Sequence, residues 1–144
     1  MIISNQDIFS DSQGPITATA ASTNVLDIGA AGTPYGASAA LARDLGNLPQ
    51  PIYIDIRVVQ VFNNLTSLAI ALQSDDNAGF SSPKEIATRT YLLAEINSLK
   101  QLTFPSAFPR GTDEEFLRLL YTVTGTAPTT GKIFAAVVPG RQTN

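Results

Sequence analysis

FLRLLYTVTGTAPTTGKIFAAVV, residues Phe116 to Val138, decides the fold class of this chain. In its first arm Leu117, Leu119, Tyr121 and Val123 alternate with Arg118, Thr122 and Thr124, the period of two that a half-buried strand requires. In the second arm both Ile133, Ala135, Val137 and Phe134, Ala136, Val138 are apolar, which places that strand in a sheet interior rather than at an edge. Between the arms, Gly125 to Gly131 cannot extend either strand, because glycine loses more backbone entropy on ordering and Pro128 has no amide donor. The segment therefore reads as a β-hairpin with a wide loop.

Working outward, Ile52 to Phe62 (IYIDIRVVQVF) sets Ile52, Ile54, Ile56 and Val58 against Tyr53, Asp55 and Arg57. At Val58-Val59 the phase slips, so that Val59 and Val61 become the apolar set, and a β-bulge accounts for the slip. Asn63-Asn64 supplies a turn and Ser67 to Ser74 returns with Leu68, Ile70 and Leu72 on one face, a second predicted hairpin. Glu85 to Leu93 is a further strand. Thr23 to Ile28 is a short strand closed by Gly29-Ala30-Ala31-Gly32, and Thr33 to Gly46 reads as a loop because small residues and glycines outweigh its alanines. Residues 94–109 have the weakest pattern, with a helical turn at 94–99 and a short strand at Leu102 ended by Pro105. Seven or eight strands separated by Gly, Pro and Asn predict an all-β antiparallel sandwich or jelly roll.

Residues 1–22 read as an extended N-terminal arm and 23–144 as a single sandwich domain. The arm is either an edge strand of its own domain or a segment that lies on a neighbouring subunit. A 144-residue chain can bury roughly 68% of its unfolded surface, enough for an independent core.

With no histidine and no cysteine, Ser-His-Asp and Cys-His catalysis, thiolate metal sites and disulfides are all excluded. Asp75-Asp76 and Glu114-Glu115 are adjacent carboxylates, but neighbours on a strand point to opposite faces and in a turn face solvent, so neither makes an acid/base pair. Ser74 to Gly79 matches only a fragment of a calcium loop, since the closing bidentate glutamate is not at the required spacing; it reads as a turn. No cofactor is expected. The nine basic residues are scattered singly and the net charge is −3, which argues against nucleic acid. There is no run of 18 apolar residues, and Met1-Ile2-Ile3 passes straight into Ser4-Asn5-Gln6-Asp7, so neither a membrane span nor a secretory signal is expected. Without such a signal, the acceptor sequence Asn64-Leu65-Thr66 carries no expectation of glycosylation.

Only 15% of residues are charged. Either many turns in an all-β chain account for this, or partners in an assembly cover much of the surface. On the second reading the candidate contacts are Ile8 and Phe9 on the arm, Tyr35 in its loop, and Phe104 and Phe108, which either close the core or mark a contact surface. A carbohydrate-binding jelly roll is the competing binding function, with Tyr35 and Tyr53 as its aromatic candidates.

Four segments in order, DIFSDSQGPITATAASTNVLDIG (7–29), TPYGASAALARDLG (33–46), FNNLTSLAIALQSDDNAGFSSP (62–83) and the opening stretch, resemble the Bbp16-like capsid cement proteins of tailed bacteriophages. The likeness is loosest over 93–109. It implies a structural virion protein without enzymatic activity or cofactor, a jelly roll on the outer surface of an icosahedral shell. The partners it implies are an HK97-type major capsid protein and further copies of the chain itself, as a symmetric dimer or a trimer, bridging capsomers. The alternative it leaves is a virion-surface module for carbohydrate or receptor.

Overall fold

A computed structural model describes residues 3–140; Met1 and Ile2 of the predicted arm, and the basic residue Arg141, lie outside them. Among the described residues the strands are β1 (Ile8–Gln13), β2 (Ala20–Ala21), β3 (Leu26–Asp27), β4 (Tyr53–Gln60), β5 (Leu65–Asp75), β6 (Lys84–Leu92), β7 (Gln101–Leu102), β8 (Phe116–Gly125) and β9 (Lys132–Val138), with one α-helix, α1 (Leu93–Ser98), between β6 and β7 and short 3-10 turns at Asn5–Asp7 and Leu45–Asn47. One sheet has the order β1-β9-β4-β7 and the other β2-β8-β5-β6, with β3 also paired to β8. Every pairing is antiparallel. Taking β2 and β3 as two pieces of one strand along β8, successive strands change sheet at every step except β5 to β6. That winding is the jelly roll.

The two predicted hairpins are therefore not hairpins. β8 bonds to β5 from Leu65↔Gly125 to Asp75↔Phe116, whereas β9 bonds to β1 and β4, so the Gly125–Gly131 loop carries the chain from one sheet to the other. The same holds for β4 and β5. Alternation records which face of a strand is buried; it does not record which strand lies beside it. The two arms meet through their inner faces across the core. Gly131, at φ +131, ends the crossing where a Cβ would strike the Phe62 ring, so only glycine fits there. Among the described residues the one hairpin is β5–β6, closed over 76–83.

Other expectations hold. β9, apolar on both faces, is an interior strand. The β4 ladder slips between Val58↔Ile133 and Gln60↔Lys132, a bulge at the predicted place. Val59 and Val61, read from sequence as the new apolar set, are instead exposed, because the extra residue turns them outward. Residues 8–13 form the edge strand of the chain's own sheet, with Phe9 fully buried and Ile16 nearly so.

The core between the sheets is built from Ile54 and Ile56 of β4, Leu68, Ile70 and Leu72 of β5, Leu117, Leu119 and Tyr121 of β8, and Ile133 and Ala135 of β9. A polar link crosses it: the Tyr121 hydroxyl and Ser10 Oγ lie 2.7 Å apart, joining β8 to β1. Burial pushes the Tyr121 phenol well up, so it stays a neutral hydrogen-bonding group. At the β6 edge the Arg89 guanidinium covers the Tyr91 ring at 4.8 Å and bonds Glu95 and Thr103, tying α1 and the segment after β7 to β6.

Candidate interaction surface

Register places one set of connections together. Phe116 is opposite both Asp27 and Asp75, and Tyr53 is opposite Val138, so the loops 28–52, 76–83 and 103–115 emerge from one end of the sandwich. The first and third are bonded to each other, and the third also to the ends of β5 and β6 that flank the second. The Asp44 carboxylate accepts the amides of Gly46 and Gly111, each at 2.9 Å, and Leu45 N donates to Thr112 O. Gly46 lies directly against the Pro109 carbonyl, leaving no room for a side chain. Lys84 Nζ bonds Gly111 O at 3.0 Å and pairs with Asp113 at 2.9 Å, and the Ser74 hydroxyl bonds the Glu114 carboxylate.

These contacts set the titration of the end. The Gly111 amide, aided by Gly46, holds the Asp44 carboxyl below its ordinary value against the opposing effect of burial. Burial pushes Asp75 up, but the amides of Asn77 and Ser82, at 2.9 Å each, outweigh it and hold it down. The Asp113 partner holds Lys84 above the usual ammonium value. Asp75 thus spends both oxygens on closing the β5–β6 loop, which is the plain turn read from sequence. No cluster of three metal-ligating side chains occurs among the described residues, and no helix among them is long and apolar enough to cross a membrane.

From this bonded base one loop projects. Arg43 closes its neck by donating to the carbonyls of Ile28, at 3.0 Å, and Gly29, and Leu41 N reaches Gly32 O at 3.0 Å. Between them every residue from Gly29 to Ala42 is exposed and none is charged. Tyr35 stands fully in solvent (108%) and Leu41 is 62% exposed. Long loops without secondary structure in compact domains are usually functional, and clustered exposed apolar side chains mark contact surfaces.

The five candidate residues separate accordingly. Tyr35 is the exposed one. Ile8 is half-buried at the start of β1, and Phe9 (0%), Phe104 (5%) and Phe108 (5%) are buried in the core. Pro105 and Pro109 bend the 103–115 loop back over the sandwich, and Phe108 N bonds Ile52 O at 3.0 Å, so both rings close the core as a lid. Tyr53 is half-buried opposite Val138 and offers no open ring face comparable with Tyr35. Sequence reasoning overlooked Leu41, although the unbroken absence of charge from Gly29 to Ala42 was available to find it.

The two antiparallel sheets, with one uncharged loop projecting from a bonded end, make a jelly-roll sandwich. A sequence model of the Bbp16 family matches residues 9–138, and the chain belongs to that family, a phage structural family associated with the capsid. No curated protein matches the sequence.

Proposed function

We propose that this chain is a capsid cement protein that docks on the outer surface of an icosahedral shell through the Tyr35 loop and bridges neighbouring capsomers. The observation that carries the reading is the loop itself: an uncharged segment, fully exposed, anchored at its neck by Arg43 and backed by a bonded base. Ala, Gly, Pro and a single Tyr present apolar area with few rotamers to freeze, which lowers the entropic cost of docking. Binding to the assembled shell and not to free subunits stabilises assembly by mass action. The chain acts as a symmetric dimer, since two loops on one unit convert the second contact into an intramolecular one.

Shells assembled without the protein, heated with and without it added back, test this. Added protein is expected to raise the temperature at which the shell opens, and Tyr35→Asp, a change at a fully exposed side chain, is expected to fold with an unchanged melting temperature and to abolish the rise. An opening temperature unmoved by the wild-type protein overturns the reading.

A further inference from the structure

Charge is not spread evenly over the sandwich. Of its twelve carboxylates, Asp7, Asp27, Asp44, Asp75, Asp76, Asp113, Glu114 and Glu115 lie in the loops or at the strand ends of the end that carries the Tyr35 loop. Three cations at that end are held internally, Arg43 on backbone carbonyls, Lys84 on Asp113, and Arg118 on Gln73 and the Phe80 ring, while Arg110 is exposed and acts on Asp44. The two sides of the loop differ. On one side a groove of about 640 Å³ contains Asp44 and Asp113, whose charges are taken up by amides and by Lys84. On the other a groove of about 510 Å³, running from Gln6 and Asp7 to Asp27 and Gly29, has two carboxylates and no basic residue among the described residues of its lining. Its floor includes Val25, 41% exposed, an apolar strip of the kind on which the methylene stem of a long cationic side chain lies.

We propose that the groove between Asp7 and Asp27 receives a lysine or arginine side chain of the shell subunit on which the Tyr35 loop docks. This rests on the reading of the chain as a cement protein and names the chemistry of its partner: a basic side chain beside an apolar seat. Carboxylates beside the loop repel phosphate and anionic lipid and attract a basic protein surface, steering the encounter and setting its register. The Asp27 carboxylate is already oriented by the Gly29 amide at 2.7 Å, at the root of the loop, so seating the cation and seating the loop are one event.

The test is co-sedimentation with shells built from the phage's own major capsid protein and lacking this chain, at low and high salt. Wild type is expected to bind more weakly as salt rises. The double variant Asp7→Asn, Asp27→Asn, in which asparagine still accepts the Gly29 amide, is expected to bind about fivefold more weakly at low salt and to lose most of the salt dependence. Asp11→Asn, on β1 away from the groove, is expected to bind as wild type, and matching melting temperatures establish that all variants fold. Equal binding by wild type and the double variant overturns this inference while leaving the cement reading standing, as does an equal loss in Asp11→Asn. Failure of wild type to bind the shells overturns both.

Discussion

Leu119 and Tyr35 mark the two extremes of burial, and their substitutions are expected to act on different properties. Leu119 is fully buried on β8 opposite Leu72, with its carbonyl accepting the Ser22 amide and its own amide donating to the Ser22 hydroxyl, so Leu119→Ala removes methyl groups from a site that cannot collapse easily. A loss of about 2–5 kcal/mol is expected in urea unfolding, and a loss below 1 kcal/mol would place the strand at a loose edge. Tyr35→Ala removes nothing from the folded chain and is expected to change stability by less than about 0.5 kcal/mol while weakening attachment to shells. Both side chains belong to alternating or uncharged stretches that the sequence displays openly. Phe9, Phe104 and Phe108 do not sort themselves in this way, because a large ring beside a proline or at the start of a strand has the same local signature whether it packs inward or faces a partner.

The Tyr35 loop and the three-loop base behind it are held by different groups, which pH and mutation can separate. Asp44 and Asp75 have carboxyls held below their ordinary value, so their contribution to stability is complete above the unfolded value of 3.8 and is lost as pH falls through the lower folded values. Lys84, held up, contributes fully below 10.5 and loses its contribution only above that. Amide exchange in acid is therefore expected to rise first at Gly46, Gly111, Asn77 and Ser82, ahead of the β5–β8 ladder; simultaneous loss across the protein would contradict this. Arg43→Ala frees the neck of the projecting loop without touching the core, and limited proteolysis between Gly29 and Ala42 is expected to quicken while the melting temperature stays close to wild type.

For the molecule as a whole, the division into an arm over 1–22 and a domain over 23–144 has a direct test. Removing residues 1–22 takes away β1, the partner of β9, together with Phe9, Ile16 and the Ser10 hydroxyl that meets Tyr121. The truncated chain is expected to fail to fold, read by loss of dispersed amide resonances; a folded truncation would establish the arm as a separable unit. By itself the sequence determined the class: period-two alternation in β4, β5 and β8, the two-sided apolar β9, the bulge at Val58-Val59 and the absence of His and Cys all follow from the residue types in order. The tertiary structure alone decided which strands are neighbours, turning both predicted hairpins into crossings between sheets, and which aromatic residues face out. The reason is physical: alternation and hydrophobicity specify how much of each face must leave water, whereas pairing and inward packing depend on contacts between residues far apart in the chain, such as Leu72 with Leu119 and Tyr121 with Ser10.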